Sequence, residues 1–283
     1  MAGDTGTTPL LVVTDLDGTL LDETTYSHAA AAEALAAIGA RGASLVLATS
    51  KTRAEVAVIA ASLDLPSAWI VENGGAIVLP PGFFGPDARP ADTADEVIVT
   101  CAVDRATLID ALAKIEWETS ARVTGFAAMT LSEIAALTEL PVEAARLAAA
   151  REFDEPFIVE DDACLPSVAA AARRRGLRVT RGGRFHHLTG DIDKGGALAA
   201  LLDDLPPGVP RPFTIGLGDA PNDLSLLLRV NRPIVVPRPG GHVDADLARA
   251  LPKAERAPHP GPAGWNAALL TVLGGGRLPL VGS

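Results

Sequence analysis

The run LLVVTDL (10–16) is apolar almost without a break, and it ends on two acids, Asp15 and Asp17, with Gly18 just beyond. A strand that meets water on one face alternates polar and apolar residues. A run with no polar face has to be covered on both sides. ASLVLAT (43–49) repeats the pattern, and AWIVENGGAIVL (68–79) reads as two more strands joined at a Gly-Gly turn. Between these runs, HAAAAEALAAIGA (28–40) and TRAEVAVIAASLDL (52–65) have helix-forming composition, the second ending before Pro66. Buried strands alternating with helices specify an α/β protein with a Rossmann-like, doubly wound parallel sheet.

The texture then changes. A Pro-, Gly- and Asp-rich stretch (80–96) reads as a boundary loop. Beyond it lie strand signals at 97–103, 157–160, 177–180 and 184–189, with helical segments at 105–117, 131–151 and 165–175. RGG between the last two strands is a hairpin signal. The α/β pattern returns with a helix at 193–205, a strand, loop and helix at 213–228, and a last strand at 232–238. The reading is a core built from residues 1–85 and 190–283, with 86–189 inserted as an α+β module.

The chain has 283 residues, 48% of them hydrophobic and 21% charged, enough for a buried core and an inserted unit. Its 24 Lys and Arg against 35 Asp and Glu leave a net charge of −11 and no basic stripe, which argues against nucleic acid as a partner. Cys101 and Cys164 are too few and too far apart for a metal pattern or a disulfide framework. No run approaches the ~18 apolar residues of a membrane span, and the start of the chain has no signal-peptide pattern. A cytoplasmic enzyme, monomer or homodimer, with no membrane partner, is expected.

Four features sit where strands end or helices begin, the place where open α/β sheets form their ligand crevice. Asp15 and Asp17, two apart on an extended chain, point to one side. Thr49 ends a strand and is followed by Ser50 and Lys51 at a helix start, a position suited to an anion. Lys194 opens a helix. GLGDAPND (216–223) places Asp219, Asn222 and Asp223 on a Gly-rich loop after a strand. Asp15, Asp17 and Asp219 offer hard oxygen ligands suited to Mg²⁺. Lys194 and Thr49 can hold a phosphoryl group, an ionised Asp can attack phosphorus, and a second Asp can shuttle the proton. Each piece alone is more often an ordinary turn or a solvated surface charge. Their joint order is far more specific.

DLDGTL, Thr49, Lys194 and GDAPND together resemble the haloacid dehalogenase superfamily of phosphatases, in its Cof-like branch with a large α/β cap of the C2B type. A narrower resemblance runs over nearly the whole chain. TSKTRAEV (49–56), ENGGAI (72–77), REFDEPF (151–157), RFHHLTGDIDKG (184–195) and GLGDAPNDLSLL (216–227) are similar to the mannosyl-3-phosphoglycerate phosphatase family. The resemblance implies Asp15 as nucleophile and Asp17 as general acid/base, with Thr49 and Lys194 on the phosphoryl group. It implies Mg²⁺ on Asp15, the Asp17 backbone carbonyl and Asp219, supported by Asn222 and Asp223. It implies a glycosyl-3-phosphoglycerate as the small anionic sugar-phosphate substrate and a glycosylglycerate, a compatible solute, as product. Ala220 stands where Ser is common in the superfamily motif.

Ser50, Lys51, Glu72, Asn73, Arg184 and His186 are further candidates for substrate contact. Glu72 and Asn73 are equally explained as turn residues. REFDEPF reads as a polar cap loop able to close over a sugar. His186 and His187 face opposite ways on a strand, which disfavours a zinc pair. The alternatives left open are a phosphatase for sucrose or trehalose phosphate, a phosphomutase of the same fold, and a binding protein on this scaffold.

Overall fold

The structure is a computed structural model that describes residues 9–84, 97–182 and 184–275. Its larger sheet has eight strands. In chain order they are β1 (Leu10–Thr14), β2 (Ser44–Ala48), β3 (Ser67–Val71), β4 (Ala76–Leu79), β5 (Val97–Thr100), β10 (Phe213–Gly218), β11 (Arg232–Val235) and β12 (Glu255–Arg256). Across the sheet they run β12-β11-β10-β1-β2-β3-β4-β5. The pairs from β12 to β3 are parallel, and β4 and β5 add antiparallel. The central strands are buried on both faces, as their unbroken apolar runs require.

Helices α1 (Ala32–Ala40), α2 (Arg53–Ala60) and α10 (Gly261–Gly274) pack with one face of this sheet, around Val12, Leu45, Leu47, Ile215 and Trp265. Helix α7 (Lys194–Asp203) and the short α8 (Leu224–Leu227) cover the other, around Leu11, Val13, Val46 and Ile70. A short α9 (Ala245–Ala250) packs beside β11. Trp265, fully buried, donates its indole N–H to the Thr14 hydroxyl at 2.9 Å and so ties α10 to the central strand.

The smaller sheet is antiparallel, with β6 (Val123–Gly125), β7 (Asp154–Val159), β8 (Leu177–Gly182) and β9 (Phe185–Gly190) in the order β6-β7-β9-β8. Helices α3 (Arg105–Thr119) and α6 (Leu165–Arg173) cover one face through Leu108, Leu112, Phe157, Val168 and Leu188. Helices α4 (Leu131–Thr138) and α5 (Val142–Ala149) meet the other through Phe126, Ile134, Ala145 and Phe185.

Four expectations need correction. Residues 97–100 form the edge strand of the large sheet, because β4 presents an open edge that the returning chain pairs with. The helical segment expected over 131–151 is two helices, since Glu139 takes a left-handed φ of 61° and Pro141 cannot donate to a continuing helix. REFDEPF is not a loop: its acids begin β7, an inner strand of the small sheet. β11 is not the last strand, because β12 pairs beyond it.

Candidate active site

The carboxyl ends of three adjacent strands, β10, β1 and β2, deliver Asp219, Asp15 and Thr49 to one edge of the large sheet. Asp15 extends β1 by one residue, its N–H donating to the Leu217 carbonyl at 2.9 Å. Gly18 then turns the chain with φ +72°, and a Cβ there would lie 3.2 Å from an Asp219 carboxylate oxygen. This position therefore needs glycine for its conformation and for the close approach.

Lys194 is the electrostatic hub. Its side chain is buried, and its ammonium donates at 2.6 Å to both Asp15 Oδ1 and Asp223 Oδ1. The other oxygen of Asp223 accepts from the backbone N–H groups of Asp219 and Ala220, both at 3.0 Å, which fixes the loop after β10. Burial alone would lower the lysine, but Asp15 and Asp223 outweigh it and hold the ammonium firmly protonated. One cation cannot neutralise two buried carboxylates. Burial, with Asp223 adding to it, pushes the Asp15 carboxyl well up in spite of Lys194.

Asp219 completes the cluster. It accepts from the Thr19 hydroxyl at 3.2 Å and has the Arg238 guanidinium at 3.3 Å. Burial, then Asp223, raises it to about 6. Carboxylate oxygens of Asp15, Asp219 and Asp223 lie within 4.8 Å of one another. Such a set carries surplus negative charge on hard oxygen donors, which fits a small divalent cation. Asp223 is held closely on both oxygens, at 2.6 and 3.0 Å, while the protein contacts of Asp219 are longer, at 3.2 and 3.3 Å, so Asp15 and Asp219 are the two side chains placed to ligate.

Asp17 lies at the rim and pairs with Lys51 at 2.9 Å. The Lys51 ammonium also sits over the Tyr26 ring, 5.0 Å from its centroid. Burial would lower Lys51, but Asp17 and Glu55 prevail and push it up. Thr49 is fully buried, and its hydroxyl accepts from the Lys51 N–H at 3.2 Å. Helix α2 begins just beyond, where Thr52 and Glu55 form a reciprocal capping box.

The remaining sequence candidates disperse. Glu72 is buried at the turn between β3 and β4, where its two oxygens accept from the backbone N–H groups of Glu152 (2.9 Å) and Phe153 (2.8 Å). It thus bonds the large sheet to the inserted unit through both carboxylate oxygens. Asn73 accepts from Asn222 at 3.2 Å, so Asn222 bridges to that turn and stands apart from the carboxylate cluster. Arg184 pairs with Glu139 beyond α4. His186 lies against Phe157 on the face that α3 and α6 cover.

A cavity of about 150 Å³ lies between the start of α2 and the small sheet, lined on one side by Ser50 and Lys51 and on the other by Arg151, Phe185 and His187. Neither Arg184 nor His186 reaches it. The face that the α4–α5 pair also meets carries Asp154, Pro156, Phe185 and His187, one residue out of phase with the expectation. In the sequence, Arg151 and Asp154 read as part of a cap loop able to close over a sugar, because a charged stretch before Pro156 looks like a loop. The one available signal was their placement just before the apolar residues of β7.

A family profile for haloacid dehalogenase-like hydrolases matches residues 12–82. A glucosyl-3-phosphoglycerate/mannosyl-3-phosphoglycerate phosphatase from Persephonella marina is 36% identical over 267 residues, covering 93% of this chain and 97% of that protein. The chain belongs to the haloacid dehalogenase-like hydrolases. It is a phosphoric monoester hydrolase of that family. A phosphatase of the same name from Methanococcoides burtonii is 35% identical, with 93% and 97% covered. The crystal structure of a haloacid dehalogenase-like hydrolase from Bacteroides thetaiotaomicron superposes with a TM-score of 0.64 at 19% identity, over 93% of this chain and 98% of that one, and shares the fold. Among the described residues no helix is long and apolar enough to cross a membrane.

Proposed function

We propose that this hydrolase removes the phosphate of a glucosyl- or mannosyl-3-phosphoglycerate through an aspartyl-phosphate on Asp15, releasing a glycosylglycerate of the compatible-solute type. The observation that carries the reading is Lys194 buried between Asp15 and Asp223, with Asp219 beside them, at the carboxyl ends of adjacent strands. The names of the relatives in Persephonella marina and Methanococcoides burtonii support the substrate class.

In this reading an Asp15 oxygen attacks phosphorus in line with the ester oxygen. The P–O bond to the glycerate breaks, and Asp17 gives its proton to the departing alkoxide. Asp17 then takes a proton from water as that water attacks the aspartyl-phosphate. Inorganic phosphate leaves, and the Asp15 carboxylate is regenerated. Lys194 and Thr49 hold the phosphoryl oxygens, and Ser50 and Lys51 present the start of α2 to them. Asp15, Asp219 and the Asp17 carbonyl would hold Mg²⁺, which when bound supplies positive charge to the phosphoryl oxygens. The small sheet and its helices, residues 101–190, act as the cap that excludes bulk water.

A phosphosugar panel, assayed for free phosphate with and without Mg²⁺, tests the proposal. Glucosyl- and mannosyl-3-phosphoglycerate are expected to give the highest kcat/KM, by at least about tenfold. A preference for sucrose or trehalose phosphate would refute the substrate. Transfer of the phosphate within the sugar without its release would refute the hydrolysis.

A further inference from the structure

Asp154 is buried, and Arg151, its side chain 10% exposed, lines the cavity that lies between the small sheet and Lys51. Asp154 Oδ2 receives two donors on one oxygen. Arg151 Nη1 approaches at 2.7 Å and His187 Nδ1 also at 2.7 Å. The guanidinium and the imidazole are therefore held side by side. Arg151 Nη1 also donates to the Ser50 carbonyl at 3.1 Å, which fixes the guanidinium against the loop that leads into α2.

The carboxylate of Asp154 is ionised. Burial opposes this, but Arg151 and His187 outweigh burial and hold it below its ordinary range. An ionised carboxylate only accepts, so His187 donates from Nδ1, and a second carboxylate met at Nε2, on the cavity side, requires a proton there as well. Among the described residues, Arg151 Nε has no partner within the protein, although it is buried. Buried guanidinium N–H groups left without an acceptor are rare and point to a ligand.

The rest of the cavity wall matches. Its other polar groups include Ser50, Lys51 and Glu55; Glu55 Oε2 accepts from the Thr52 N–H, and the Lys51 ammonium nearby offsets the Glu55 charge. Phe126 and Phe185, packed edge to face at 5.0 Å, supply an apolar side. Such a wall offers donors and positive charge and asks for an acceptor-rich, anionic group. Lys51, which joins this cavity to Asp17 at the reaction centre, sets the second anionic group close to the phosphate.

We propose that Arg151 and His187, oriented by the buried Asp154, form the binding site for the substrate's carboxylate. The proposal rests on the glycosyl-3-phosphoglycerate reading, in which the substrate carries a carboxylate one carbon chain away from its phosphate. The two residues give that carboxylate a forked guanidinium and, with the ring protonated on both nitrogens, an imidazolium side by side. Discrimination against phosphosugars without a carboxylate follows, because those would leave Arg151 without its acceptor.

The test measures a preference and does not depend on turnover of the glycosylated substrate. Hydrolysis of p-nitrophenyl phosphate by the full-length enzyme is inhibited with 3-phosphoglycerate and, separately, with glycerol 3-phosphate, which has a neutral hydroxymethyl group in place of the carboxylate. The wild-type enzyme is expected to bind 3-phosphoglycerate at least about tenfold more tightly. In Arg151→Lys and His187→Gln the ratio is expected to fall to within about twofold. Equal inhibition of the wild type by both ligands, or an unchanged ratio in the variants, overturns the proposal. A wild-type enzyme that keeps the preference but does not hydrolyse glycosyl-3-phosphoglycerates overturns the substrate reading and leaves the carboxylate site standing.

Discussion

Replacing Glu72 with Gln isolates one buried charge at the joint between core and cap. The carboxylate accepts two backbone N–H groups, yet burial dominates and raises it from its ordinary 4.5 to about 7. Arg151 and the two N–H donors pull the other way and do not prevail. The folded protein therefore binds a proton at Glu72 that the unfolded chain has released, over the window from about pH 4.5 to about pH 7. Stability falls as pH rises wherever the folded state binds more protons. The Glu72 contribution is complete below pH 4.5 and is lost as pH rises through about 7. At about 1.4 kcal/mol per tenfold change in proton affinity, the loss is about 3 kcal/mol.

Gln cannot titrate. It also turns one acceptor into a donor that faces a backbone N–H, which costs about 1–3 kcal/mol at every pH. We therefore expect the variant to be less stable than wild type at pH 4.5 and to recover by about 3 kcal/mol relative to it by pH 8. Urea unfolding of both proteins at half-unit steps of pH gives this difference, because titrations remote from Glu72 cancel. Two pH profiles that stay parallel within about 0.5 kcal/mol would refute the assignment of a raised, titrating carboxyl to Glu72.

Asp15→Asn is expected to lower kcat by about four orders of magnitude or more, with a circular dichroism spectrum unchanged, since the amide keeps the shape and loses the nucleophile. Lys194→Met leaves Asp15 and Asp223 without their shared cation; we expect about 3–5 kcal/mol of lost stability, read by denaturant unfolding, along with lost activity. A Cβ at Gly75 would meet the Phe153 side chain at 2.5 Å; Gly75→Ala is expected to cost about 1–3 kcal/mol by the same assay. Chelation followed by removal of the chelate should abolish phosphate release, and added Mg²⁺ should restore it.

The candidate site was legible as a cluster because its residues sit on the most regular part of the fold. Buried parallel strands announce themselves by unbroken apolar runs, and Asp15, Thr49 and Asp219 stand at their ends. The cap was legible as an α+β unit but not in detail. Whether His186 or His187 faces the cavity depends on the phase of a two-residue period, and a hairpin signal alone does not set that phase. Glu72 read as a turn residue since its partners, the N–H groups of Glu152 and Phe153, lie 80 residues away or more. Arg151 and Asp154 looked solvent-facing because charge usually is. Burial became tolerable only through their mutual pairing, a tertiary fact.

Phe153 belongs to the apolar cluster of the large sheet although it lies within the cap's stretch of chain, and Glu72 grips its backbone from below. That joint is not the sole fastening: the Thr52 hydroxyl donates to the Leu147 carbonyl of α5 at 2.8 Å, and Arg53 pairs with Glu152 at 2.9 Å. The start of α2 is thus stitched to the smaller unit at several points around the cavity, which sets Arg151 relative to Ser50 before any ligand arrives.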